Sequence, residues 1–248
     1  MQTKLCFKSL FLAFIVILIS SLFTYYLSSS VKQELTTQSY QKLKNIAEQL
    51  SSRFQDSINL SIHDLQGLQG FYSANKENYS LDEFNQYMSS LNLDERRYIQ
   101  ALSWVPVITD QQRANFERVI KSQHGSFKIN EFNPDKKLAL SPQKKYYTPV
   151  TYMSPFEPNK PAHGLDLNSN TTRRASLEYA RDSGEMTATA KINLVQNQSI
   201  AIGFLIIAPV YQHNATLTTK SSRINALKGY VTGAFIINNL IYIIYFLN

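Results

Sequence analysis

The chain has 248 residues, 44% hydrophobic and 12% aromatic, which is ample material for a packed core and excludes widespread disorder. Eight glycines and eight prolines exclude a fibrous or low-complexity chain, and the single cysteine, Cys6, excludes an internal disulfide and any cysteine-based zinc site. The net charge is +7, but of 25 basic side chains Lys4 and Lys8 flank an apolar run, and the other 23, against 18 acidic ones, are scattered as on a solvated surface, so no nucleic-acid partner is expected.

Residues 1–9 read as a cytoplasmic tail. Leu10 to Leu27 is apolar apart from Ser20, Ser21 and Thr24, about the length a membrane helix needs, and gives a transmembrane segment at 10–27. The basic flank predicts a cytoplasmic amino terminus and a periplasmic or extracellular body, as in a single-pass inner-membrane protein. A cleaved signal peptide is the rival, although its apolar core would be shorter and Ser28-Ser29-Ser30 is only a fair cleavage site. Lipoprotein attachment fails because Cys6 precedes the apolar run. A body without cysteine fits an oxidising compartment.

From Val31 to Tyr72 the apolar positions Val31, Leu35, Leu43, Ile46, Leu50, Phe54, Ile58, Ile62, Leu65 and Leu68 recur at spacings of three, four and eight. This predicts one long amphipathic helix, a stalk over 28–70. About 40 residues extend about 60 Å, more than one small domain covers. Part of the stripe is therefore expected to pair with a second copy in a homodimer; the alternative is a stripe covered by its own domain.

Ser80 and Glu83 form a capping-box pattern, with Leu81, Phe84, Met88 and Leu91 on one helix face behind it. Tyr98–Ile108 reads as a strand, and Thr109 with Gln112 opens a second helix that His124-Gly125 closes. Phe127–Phe132 is a short strand, Asn133-Pro134-Asp135 a turn, and Tyr146–Met153 another strand. Pro155, Pro158 and Pro161 make an irregular loop ending at His163-Gly164. Ser169 or Asn170 caps a helix to Asp182, with Gly184 as its stop. Met186–Val195 alternates as a half-buried strand, with Met186, Ala188, Ala190, Ile192 and Leu194 on one face. Gln196–Ser199 is a polar turn, Ile200–Tyr211 a more buried strand, 212–223 a polar loop and Gly229–Ile237 a last strand. The fold class is α+β: a transmembrane helix continuing into a stalk helix, then two PAS-like subdomains with antiparallel sheets, about 71–145 and 146–240.

Several strings resemble the CHASE domain family. They are Phe71-Tyr72, Ala101 through Pro106, Phe116-Glu117, Tyr147 through Tyr152, Gly164-Leu165-Asp166-Leu167, Arg173-Arg174 and Ala180 through Gly184, followed by Pro209-Val210-Tyr211 and Gly229 through Gly233. Their order and spacing cover about residues 70–240. The resemblance implies an extracytoplasmic sensor of small molecules, set between two membrane helices and feeding a histidine kinase, a diguanylate cyclase or a similar output. It also implies that Asp166 stands where plant members hydrogen-bond an adenine-type ligand, with Ala188 and Thr189 as further lining residues. Ala188 is smaller than the leucine of the plant pattern. The bottom-up alternative for Asp166, beside Gly164, is a residue that stabilises its own turn and the next helix start.

His63, His124, His163 and His213 form no metal-ligand spacing and read as surface or turn residues, so no metal or cofactor is expected. No nucleophile elbow or phosphate loop is present, and no enzymatic activity is expected. Arg173, Arg174 and Arg181 fall on similar faces of one helix, either greeting an anionic ligand or lying on a solvated face. Residues 241–248 are an apolar tail, too short to span a bilayer, so the expectation is a sensor truncated before its output module. A stand-alone binding module acting in trans with full-length receptors is the first alternative, and an exported enzyme the second.

Overall fold

A computed structural model of the chain describes residues 2–74, 80–91, 93, 98–195 and 200–246. It divides into two units, Met1–Arg53 and Phe54–Asn248. Helix α1 runs Gln2–Ala74 without a break, joining the membrane and stalk segments expected from the sequence. Within Met1–Arg53 the side chains of Phe11 to Leu27 are exposed on all sides, and this stretch is apolar enough to cross a membrane. Ser20 and Thr24 return their hydroxyls to the carbonyls of Val16 and Ser20, so these two polar side chains are satisfied within the helix.

Phe54–Asn248 is built on one six-stranded antiparallel sheet ordered β6-β1-β10-β9-β7, with β8 also on β9. The strands are β1 (Ile99–Pro106), β6 (Tyr152–Ser154), β7 (Thr187–Ala188), β8 (Ile192–Val195), β9 (Ile200–Tyr211) and β10 (Leu227–Ile236). Strands β9 and β10 read as nearly continuous apolar runs because both faces of the sheet are covered. Leu102, Trp104, Ile206, Ala208, Val231 and Phe235 point into one core, and Leu205, Ile207, Tyr230 and Ile236 into another.

The first core is closed by Leu65, Leu68 and Tyr72 from the end of α1, by α2 (Leu81–Ser89) and by α3 (Asp110–His124). The last turns of the expected stalk thus belong to the body. Tyr72 stacks on Trp104 with ring centroids 4.0 Å apart, a contact worth about 1 kcal/mol beyond its buried area. The second core is closed by Leu177 and Ala180 of α4 (Thr171–Ser183) and by Leu165 and Leu167 of the preceding loop.

Both capping boxes form. Ser80 accepts from the Glu83 N–H while its own N–H donates to the Glu83 carboxylate, and the Thr109 N–H donates to Gln112. The α+β class and the antiparallel sheets are as expected. Strand β1, from the first expected subdomain, lies inside the large sheet, whereas β2 (Ile108–Thr109) with β5 (Tyr146–Tyr147), and β3 (Asn130–Phe132) with β4 (Leu138–Leu140), form separate two-stranded pairs.

Other elements depart from expectation. The strand expected over Tyr146–Met153 splits into β5 and β6. Its middle backbone groups are engaged elsewhere: the Thr148 N–H donates to Asp166, the Val150 N–H to the Leu165 carbonyl, and the Val150 carbonyl accepts from Gly164. The strand expected over Met186–Val195 breaks between β7 and β8 because Thr189 turns inward. Its Oγ1 accepts from the Leu205 N–H in place of a backbone carbonyl, and Ala188 and Ala190 are exposed. The proline loop contains a 3₁₀ helix, Glu157–Ala162. The polar loop at 212–223 gives way to α5 (Lys220–Ala226), capped by Thr219, and β10 is followed by α6 (Ile237–Phe246). The turn at Gln196–Ser199 lies outside the described residues.

Candidate ligand site

Strands β1, β10 and β9 present Ala101, Ser103, Thr232, Ala234 and Leu205 on the face that carries the second core. Ser103 and Thr232 are register partners, so the two hydroxyl residues sit side by side in the middle of the sheet. Above them, α4 and the 3₁₀ segment leave a cavity of about 50 Å³. Most of its wall is aliphatic. Besides Ser103 and Thr232, the polar part is a pair in which half-buried Gln100 donates to buried Asn159 at 2.7 Å while Asn159 donates to the carbonyls of Gln100 and Pro155. The remaining polar group is Arg173.

Arg173 is 5% exposed. The Asn170 side chain caps α4 by accepting from the N–H groups of Thr172 and Arg173, which fixes Arg173 in the first turn. From there Arg173, Leu177 and Ala180, at i, i+4 and i+7, form the buried stripe of the helix. The guanidinium stands where an aliphatic side chain would ordinarily close the core. It donates through Nη2 to the Asn193 carbonyl at 2.8 Å, while its Nε has no partner. Burial alone pulls its pKa below the usual guanidinium value, with no carboxylate to offset the desolvation.

The three arginines therefore do not share one face chemically. Arg173 is buried, Arg174 is exposed, and Arg181 pairs with Asp182 at 2.6 Å. The solvated face weighed for all three does not hold for Arg173, because its spacing to Leu177 carries it into the core.

Asp166 is fully buried and does not line this cavity. Its Oδ1 accepts from the Thr148 N–H at 2.9 Å, the Thr148 hydroxyl and the Asn168 N–H, and its Oδ2 accepts from Lys144 at 2.9 Å. Lys144 also pairs with Glu131, so the carboxylate clamps the segments at 131, 144–148 and 166–168 together. The open cleft beside it is lined by Lys144 and Asp110, among others, and not by Asp166. Thr189 is buried with its hydroxyl used on Leu205, and Ala188 faces outward; neither reaches the cavity. Sequence reasoning thus left Arg173 between an anionic-ligand contact and a solvated face, and passed over Gln100, Asn159, Ser103 and Thr232 as site residues. The stripe Arg173–Leu177–Ala180 is the signal that could have found the first of these.

His124 and His163 meet at 4.7 Å between ring centroids, packed with Phe127 and Phe156, and are half-buried rather than surface residues. Burial, and then the neighbouring His124, pull His163 down to about 4. Among the described residues no group of three metal-ligating side chains forms.

Residues 77–246 match the family model described as CHASE domain. Over 198 residues the chain is 27% identical to a protein of Oryza sativa subsp. japonica named probable histidine kinase 4, which covers 79% of this chain and 18% of that protein. It is 24% identical over 237 residues to histidine kinase 3 of Arabidopsis thaliana, covering 89% of this chain and 22% of the relative. The chain thus spans about a fifth of the length of these relatives. A solved structure, the periplasmic sensory domain of the Campylobacter jejuni chemoreceptor Tlp1, aligns over 83% of this chain and 61% of its own at 14% identity and a TM-score of 0.47.

Proposed function

The chain belongs to the CHASE domain family, and on that premise we propose that it is the ligand-sensing portion of a membrane-anchored signalling receptor, with its body outside the cytoplasm. The observation that carries this is the cavity between the sheet and α4, with buried polar side chains converging on an aliphatic wall, the usual composition of a small-molecule site. Lys4 and Lys8 before the apolar span favour a cytoplasmic amino terminus. The names of the relatives favour a histidine kinase as the output, on polypeptide beyond the span they share with this chain.

The sheet supplies a route for the signal. A ligand would draw α4 and the proline loop toward Ser103 and Thr232. The other face of the same strands packs on Leu65, Leu68 and Tyr72 of α1, so a shift of β1 or β10 bears directly on that helix.

The test is a screen of the full chain in lipid nanodiscs against adenine derivatives, small acids and dipeptides, read first by melting temperature. A hit should also slow amide exchange in β1, β10 and α4. Protection confined to other segments, or a panel without any hit, overturns the assignment of this cavity.

A further inference from the structure

We propose that the ligand of this cavity carries a carboxylate, which Arg173 receives, and that the rest of it is a short aliphatic group. This rests on the cavity being the ligand site. A guanidinium that is nearly fully buried is almost always matched by an anion, because desolvation of an unmatched charge is costly. Here no carboxylate lies within 4.0 Å of Arg173 among the described residues, and its Nε has no acceptor.

Among the described residues Arg173 is also the only formally charged one in the cavity wall, so no described acid competes for it there. The planar Nε–Nη edge of an arginine matches the two oxygens of a carboxylate. Elsewhere in the wall Ala101, Leu194, Leu205 and Ala234 offer apolar contact, interrupted by the neutral side chains of Ser103 and Thr232. At about 50 Å³ the space has room for about four water-sized centres. That suits an acid of two to four carbons and is well short of the volume usual for larger organic ligands. Asn170 holds Arg173 by its backbone and the Asn193 carbonyl holds Nη2, so the free Nε is fixed in direction before any ligand arrives.

The experiment uses the full chain in nanodiscs with propionate, its neutral isostere propionamide, and inorganic phosphate. Propionate should raise the melting temperature saturably, and the other two should not. Arg173→Gln should weaken propionate binding by at least roughly thirtyfold, the cost of removing one partner of a buried charge pair. Ala234→Leu, which fills the cavity without touching the guanidinium, should abolish binding too, and it decides the matter if Arg173→Gln does not fold. Propionamide or phosphate binding as well as propionate overturns the carboxylate assignment, as does propionate binding that survives either substitution. Neutral compounds that protect β1, β10 and α4 while no acid does so would overturn the carboxylate and leave the cavity standing as a ligand site. No protection of these strands by any probe overturns both.

Discussion

Asp166 shows how one side chain can be prominent in the sequence for a structural reason. Its two oxygens gather donors from Lys144 and Thr148, 22 and 18 residues before it, and from Asn168, two residues after it, in a site closed to solvent. Asp166→Ala would leave these donors buried without an acceptor and Lys144 short of one counter-charge. The expected cost is about 3–5 kcal/mol of folding stability, the range for breaking a buried ion pair by deleting one partner. Urea unfolding followed by the fluorescence of Trp104, the sole tryptophan, measures it. Unchanged stability together with a lost ligand response would instead make Asp166 the ligand contact that the family resemblance implies. Arg173 is the converse case. It was legible as a member of an arginine cluster, but its burial depends on Leu177 and Ala180 meeting a sheet face assembled from strands far along the chain.

At the scale of elements, the junction between the end of α3 and the proline loop brings His124 against His163, beneath Phe127 and Phe156. Burial is the main influence on His163; its neighbour His124 and then Lys160 also lower it, and a backbone contact at Thr151 only partly opposes them. The folded value, about 4, lies below the ordinary 6.5, so the unfolded chain takes up the proton first. Stability is therefore complete well above pH 6.5 and falls as the pH drops toward 4, by about 3 kcal/mol. Burial shifts His124 in the same direction and adds to this limb. In His163→Phe, whose ring keeps the aromatic packing, the loss of stability between those pH values should shrink; a limb of unchanged depth would place its origin elsewhere. Elements whose signals are local were legible in the sequence: the boxes at Ser80 and Thr109, the Asn170 cap, the Gly184 stop at φ +81° and the apolar run of β9. Elements defined by distant partners were not. β4 exists through its pairing with β3, the gap between β5 and β6 arises from bonds to 164–168, and α5 has seven residues, too few for a periodicity to show.

At the scale of the whole molecule, the two units pose different problems of burial. Phe54–Asn248 covers both faces of its sheet with its own helices and loops. Within Met1–Arg53 the stripe beyond the apolar span stays open: Val31, Leu35, Leu43 and Ile46 are each more than half exposed. Apolar residues repeated at three- and four-residue spacings along a helix are the ordinary seam of a coiled coil. A homodimer through this seam is the proposed arrangement. In Leu43→Glu/Ile46→Glu two like charges per helix would face each other across the seam, and burying them would cost more than the contact returns. The wild-type chain in mild detergent should sediment as a dimer and this variant as a monomer. The melting temperature should be unchanged, because the cores within Phe54–Asn248 contain neither residue. A monomeric wild type sinks the dimer itself. A variant that remains dimeric moves the interface off this stripe and into the apolar span between Phe11 and Leu27, where packing of small and polar side chains such as Ser20, Ser21 and Thr24 would have to carry it.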